Sequence, residues 1–160
     1  MADAGTRPPS LLALASYLAS QAAKYGYRQL EAVLAEHHLL LGHHAVLAAL
    51  DDFGPLSQQQ LADSLDFDKS HLVGRIDHLE ERDLVTRTRD RVDRRRHQVA
   101  LTPVGKALVD KLRPAAQESQ RQFLSALSAT ERETLISLLQ RVLAVNDAVR
   151  HGLGNDDVHP

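Results

Sequence analysis

Cysteine is absent from the 160 residues, which excludes disulfides, thiol redox sensing and thiolate metal sites. No run of about eighteen apolar residues occurs, so no transmembrane helix is expected. Met1–Pro9 also lacks the basic region and apolar core of a secretory signal. A dominant charge is missing too. The formal net charge is −2 at pH 7, which rules out a surface coated in basic residues but leaves room for a local basic patch. Catalytic signatures are as scarce. There is no Gly-x-Ser-x-Gly elbow, no phosphate-binding glycine loop and no His-Glu-x-x-His zinc pair, and nothing orients a base against a serine. The expectation is a cytoplasmic protein that is not an enzyme and needs no cofactor. With 43% hydrophobic residues the chain can build a core for one domain, or one domain with dimerising extensions.

What is present is concentrated in one stretch. Arg87, Arg89, Arg91, Arg94, Arg95 and Arg96 fall within ten residues, between Leu84-Val85-Thr86 and Gln98-Val99-Ala100-Leu101, two segments with strand character. An arginine-rich loop on a two-stranded ribbon has the charge and shape to follow a phosphate backbone and place a guanidinium in a groove. Asp90 and Asp93 interrupt the run and can pair with neighbouring arginines, holding the loop in one shape. A solvated charged hairpin is the plain alternative.

The rest reads as helices. Ser10 is expected to cap a long helix to about Glu36, with Leu11, Leu14, Leu18, Ala22 and Tyr25 at three-and-four spacing. A second helix covers Gly42 to Asp52, with Val46, Leu47 and Leu50 inward, and Phe53-Gly54-Pro55 ends it. Ser57 and Gln60 form a capping box that opens a short helix burying Leu61 and Leu65. After a turn at Asp66-Phe67, Asp68 caps a helix to about Asp83. Its apolar stripe is Leu72, Val73, Ile76 and Leu79, and its polar stripe is Lys69, Ser70, His71, Gly74, Arg75 and His78. Thr102-Pro103 starts a helix that Pro114 bends or interrupts on its way to about Leu127. Ser128 and Glu131 cap a last helix carrying Leu135, Leu138, Leu139, Val142, Val145 and Val149. The expected organisation is a disordered segment 1–9, a dimerisation helix 10–36, a DNA-binding lobe 37–101, C-terminal dimerisation helices 102–150 and a flexible tail 151–160.

Two short helices joined by a tight turn, followed by a basic hairpin, make a winged helix-turn-helix. The fold class is therefore mainly α with a small β-wing, flanked by long dimerisation helices. A helix enters the major groove when the side chains near its N-terminus are polar and modest in size. Lys69, Ser70 and His71 meet that condition, Gly74 permits close backbone approach, and Arg75 is placed to reach a guanine edge or a phosphate. Ser57, Gln58 and Gln59 at a helix N-terminus offer donors to a phosphate. Each feature alone is also what a solvated helix face shows; their order and separation carry the reading.

Pro55-Leu-Ser-Gln-Gln-Gln-Leu-Ala62, Asp68-Lys-Ser-His-Leu-Val73, Leu79-Glu-Glu-Arg-Asp-Leu-Val85 and Asp90-Arg-Val-Asp-Arg-Arg-Arg-His-Gln-Val-Ala-Leu-Thr-Pro-Val-Gly105 resemble the MarR family of bacterial transcriptional regulators. The resemblance implies a homodimer in which the first helix and the last two interlock. It implies binding to a double-stranded operator and repression of nearby genes, relieved by a small ligand. In the family pattern Asp93 and Arg95 would brace the wing. Arg94, or Arg91 at the tip, would enter the minor groove, with Arg96 beside them on the DNA. One departure is Asp83, where many relatives carry glycine.

Nine histidines are many for this length, and His37, His38, His43 and His44 cluster. A metal site would need three or four converging donors, yet the cluster has no His-x-x-x-His helical pair, so no metal residues are assigned. The other functional reading is an effector pocket formed by Tyr25, Arg28, His43 and His44, suited to an anionic or phenolic ligand. Ordinary packing is the third. A metal-responsive regulator and a helical interaction module without DNA binding stay open as alternatives.

Overall fold

The computed structural model describes residues 6–89 and 97–152. Among the described residues seven helices and three strands follow in the order α1 (Pro9–Leu12), α2 (Ala15–Glu36), α3 (Leu41–Phe53), β1 (Leu56–Ser57), α4 (Gln58–Leu65), α5 (Lys69–Glu81), β2 (Val85–Arg89), β3 (His97–Leu101), α6 (Pro103–Phe123) and α7 (Ala129–Arg150). They form two compact units, residues 1–120 and 121–160. Among the described residues no single helix is long and apolar enough to cross a membrane.

The first unit closes around leucines spaced for helices. Leu30 and Leu34 of α2, Val46, Leu47 and Leu50 of α3, Leu61 of α4, and Leu72, Ile76 and Leu79 of α5 meet Val85, Val99 and Leu112 in one core. Val73 does not belong to it. The inward spacing Leu72, Ile76, Leu79 leaves Val73 a hundred degrees round the helix, and it is exposed. The sheet has three strands in the order β1-β3-β2, all antiparallel, with Leu56 opposite Val99 and Arg87 opposite Val99 on the other side. The expected ribbon of two strands thus gains a third, too short at two residues to show any alternation. The strands also run further than expected, so that Arg87 and Arg89 lie in β2 and His97 in β3.

Local chemistry explains most of the helix ends. Ser57 Oγ accepts from the Gln60 amide while Gln60 Oε1 accepts from the Ser57 amide, and Ser128 and Glu131 repeat the exchange on α7. Thr102 Oγ1 accepts from the Gly105 amide. Among the described residues three helices end with a non-glycine residue at positive φ, at His38, Asp66 and Asp83. In each case the next amide reaches back five residues, as Leu39 to Leu34, Phe67 to Ala62 and Leu84 to Leu79. Asp83 therefore sits where glycine is conformationally favoured, and its short polar side chain tolerates the geometry. Gly105 answers a different demand, because a Cβ there would lie 1.9 Å from the Leu84 carbonyl oxygen. That close approach seats the start of α6 on the turn between α5 and β2.

The helix bounds depart from expectation in two places. Ser10 does not cap a continuous helix; it lies inside α1, and Leu14, extended, starts α2 with no side-chain cap. The cause is tertiary. Arg7 donates to the hydroxyls of Tyr17 and Tyr25, which it could not reach from the end of a straight helix rising 1.5 Å per residue. Of the segment 1–9, residues 6–9 are described, and Pro9 opens α1. Pro114 lies inside α6, which runs on to Phe123 and stops short of Leu127. The proposed tail is described only at His151 and Gly152, and its remainder lies outside the described residues.

Candidate nucleic-acid interface

The turn between α4 and α5 presents the start of α5. Asp68 caps it by accepting from the Ser70 amide at 2.9 Å and from the Ser70 hydroxyl, and these bonds hold its carboxyl below the usual carboxylate range. Lys69, Ser70 and His71 are exposed, and nothing stands within 4 Å of where a Gly74 Cβ would be. One flat, polar face results, open over its first turn and a half.

The N-terminus of α4 lies beside it. Gln59 is tied to Asp63 at 2.7 Å, while Gln58 Oε1 accepts from Arg87 Nε at 3.5 Å. Arg87 is the residue that sequence reasoning misplaced. Expected as the first arginine of a free loop, it is a half-buried strand residue whose guanidinium pairs with Asp77 and Glu80 of α5. Its amide also donates to Glu80 Oε1 at 3.1 Å. Burial works to lower its pKa, and the pairing with Asp77 and Glu80 together outweighs that and raises it. The pairing offsets one of the two negative charges on the flank of α5 and fastens β2 to that helix. Only the spacing of Asp77 and Glu80, one turn apart, hinted at it.

Arg75 and His78 depart from the expected polar stripe in the opposite sense. Arg75 is half-buried, its guanidinium 4.3 Å above the Phe67 ring and its side chain against Gly42 of α3. His78 Nε2 bonds the His38 carbonyl oxygen at 2.9 Å, and its ring stacks on His43 at 4.5 Å. Both residues clamp α5 to the α2–α3 turn. To reach a guanine edge or a phosphate, Arg75 would have to leave this packing. The wing residues Arg91, Asp93, Arg94, Arg95 and Arg96 lie outside the described residues.

The four expected effector residues divide among three surroundings. Arg28 lies over the Tyr25 ring at 4.9 Å, so these two do meet. His43 is buried, accepts the Leu40 amide at Nδ1 (3.0 Å), and is driven down to a pKa of about 4 by burial, then by His78, Arg75 and Arg82. It is a neutral helix-capping histidine turned toward α5. His44, also lowered by burial, faces α6 and lines a cleft of about 280 Å³ with Asp51, Asp52, Arg113 and Gln117. Asp51 is held ionised there by Lys106 and then Arg113, at 2.8 Å each. Among the described residues no group of three or more histidines and acids is arranged to hold a metal.

The MarR family model matches residues 39–97, the α3-to-β3 region that carries this face. A probable transcriptional regulator from Pseudomonas aeruginosa has a similar structure, with a TM-score of 0.74 and 33% identity over 82% of this chain and 98% of that one. The chain belongs to the MarR family. Two further proteins are similar to it. HTH-type transcriptional repressor NicR of Pseudomonas putida is 35% identical over 97 residues, 61% of each chain. BpsR of Bordetella bronchiseptica, whose DNA binding is regulated by 6-hydroxynicotinic acid, has a TM-score of 0.73 and is 27% identical over 81% of this chain and 92% of its own. The chain spans 61% of the length of the curated relatives that it matches. As in other structures of the family, the lobe is a winged helix-turn-helix, here α4, α5 and the β1-β3-β2 sheet.

Proposed function

We propose that this MarR-family protein is a transcriptional repressor that binds a pseudo-palindromic operator as a homodimer and releases it on binding a small anionic or phenolic effector. The observation that carries the reading is the open face of α5. Lys69, Ser70 and His71 are exposed, Gly74 leaves a gap for close approach, and Arg87 offsets part of the negative charge of Asp77 and Glu80 at the margin. An α-helix presented in this way fits the major groove, and the α4 N-terminus offers Ser57, Gln58 and Gln59 to a phosphate. The arginines Arg91, Arg94 and Arg96, with Asp93 and Arg95 bracing them, would add the minor-groove contact. The name of NicR supports repression.

Support for the homodimer comes from α7, on which Leu138, Leu139, Val142, Leu143, Val145 and Val149 are all exposed by 46–69%. An apolar face of that length is unfavourable in water and suits burial against a second copy. For the effector, the regulation of BpsR by 6-hydroxynicotinic acid supports a small organic acid. We place it at Tyr25 and Arg28. The cleft beside His44 suits an anion poorly, because Asp51 and Asp52 line it and Asp51 already engages Arg113.

Gel-shift of the full-length protein on the DNA upstream of its own coding sequence tests the function. Saturable binding is expected, weakened in Lys69→Ala, with log K falling steeply as log salt rises, because each phosphate contact releases condensed counterions. Equal binding to every sequence tried, or none, would overturn the operator reading.

A further inference from the structure

Among the described residues of α4, α5 and the sheet, Val73 is the one large apolar side chain that the fold leaves exposed, by 39%. Leu72, Ile76 and Leu79 fill the core from the inner side of α5. Val73 stands with Lys69, Ser70, Gly74 and Asp77 on the open side. Helix formation does not account for it, because a branched side chain is a poorer helix former than alanine, lysine or glutamine.

Its neighbours keep it prominent. Ser70, one turn before, is short, and its hydroxyl turns back to Asp68. Gly74 follows with no side chain and nothing within 4 Å of where one would begin. Asp77, one turn on, is drawn to Arg87. The isopropyl group therefore projects among a short residue, an empty place and a tethered carboxylate.

Charge sets how α5 would enter a groove. Lys69 opens the helix, whereas Asp77, Glu80 and Glu81 crowd its later turns. Arg87 offsets part of that charge, and Glu81 stays exposed. Carboxylates and phosphates repel each other, so the first two turns go deepest. Val73 lies in that part, and its side chain has no atom that can donate or accept a hydrogen bond. It can recognise only an apolar feature, and in the major groove that feature is the C5-methyl group of thymine.

We propose that Val73 is a specificity-determining residue, selecting a thymine in each half-site by packing on its C5-methyl group, with Gly74 leaving room for the approach. This rests on the operator reading and adds a base identity to it.

Full-length protein is titrated, by fluorescence anisotropy, onto the operator that it protects. A set of duplexes follows in which one thymine at a time, at matching places in both half-sites, is replaced by deoxyuridine, which lacks the methyl group and keeps the hydrogen-bonding pattern. In wild type one replacement should weaken binding about tenfold, since burying a methyl group is worth about fourfold in each half-site. Val73→Ala should bind the unmodified operator about tenfold more weakly and be indifferent to that same replacement. At every other thymine it should respond as wild type does. Its melting temperature should equal or exceed that of wild type, alanine being the better helix former. Equal affinity of Val73→Ala and wild type for the operator, the same deoxyuridine profile in both proteins, or a protected half-site without thymine would overturn the proposal. Selective binding with no thymine coupled to Val73 removes this inference alone. Equal binding to every sequence removes the operator reading and this inference with it.

Discussion

His43 ties protonation to stability, and the size of the effect follows from its surroundings. Its Nδ1 accepts the Leu40 amide at 3.0 Å, the side-chain half of a capping box at the start of α3. A proton on that nitrogen would replace the bond with two opposed N–H groups, and the new charge would lie buried beside His78, Arg75 and Arg82. These causes put its pKa at about 4, against 6.5 for an ordinary histidine. Above pH 6.5 the ring is neutral in both folded and unfolded chains and the pH has no leverage. As the pH falls through 6.5 the unfolded chain takes a proton that the folded one refuses, so stability is lost until the folded ring also titrates near pH 4. The full loss is about 3 kcal/mol, of which about 2 kcal/mol falls between pH 7.5 and pH 5. Urea unfolding followed by circular dichroism at fixed protein concentration measures it. His43→Gln provides the control, because a glutamine at the third helical position can accept the same amide and does not titrate. The variant should lose about 2 kcal/mol less than wild type over that range, with the contribution of His44 common to both. Identical pH profiles for the two proteins would refute the reasoning.

Other substitutions follow from the same geometry. Gly105→Ala places a methyl group against the Leu84 carbonyl and should cost about 3 kcal/mol or prevent folding, read as a drop in urea midpoint. Gly74→Ala meets nothing within 4 Å. It should stabilise α5 by up to about 1 kcal/mol while weakening operator binding, the two measured on the same preparation. Asp83→Gly should raise stability by about 1 kcal/mol, because the left-handed turn then carries no side-chain penalty. Arg94→Ala should weaken operator binding by about 1–3 kcal/mol and more on A·T-rich flanks, by fluorescence anisotropy at physiological salt.

The features legible in the sequence were the local ones. Ser57 with Gln60, Ser128 with Glu131, Asp68, and Thr102 before Pro103 each satisfy an amide within three residues, so spacing alone reveals them. The open stripe Lys69, Ser70, His71 and Gly74 was legible for the same reason, since helical periodicity places it opposite Leu72, Ile76 and Leu79. Distant partners were not. Whether Arg75 and His78 face DNA or the protein depends on a turn more than thirty residues earlier, where the His38 carbonyl and Gly42 stand. Arg87 needed the register of β2 against α5 before its partners Asp77 and Glu80 could be known. The bend at Leu14 comes from Arg7 reaching Tyr17 and Tyr25, a contact that no local propensity encodes. The effector residues scattered because His43 and His44, adjacent in sequence, point about a hundred degrees apart on α3.

The central claim is that two copies of α5 read two half-sites at once, and a change of spacing tests it most directly. On the operator that the full-length protein protects, about five base pairs are inserted between the half-sites, and the affinity is compared with that for the intact site and for one carrying about ten extra base pairs. Half a helical turn puts the second half-site on the wrong face. The account therefore predicts loss of tight binding at five and partial recovery at ten. Unchanged affinity at five would contradict it.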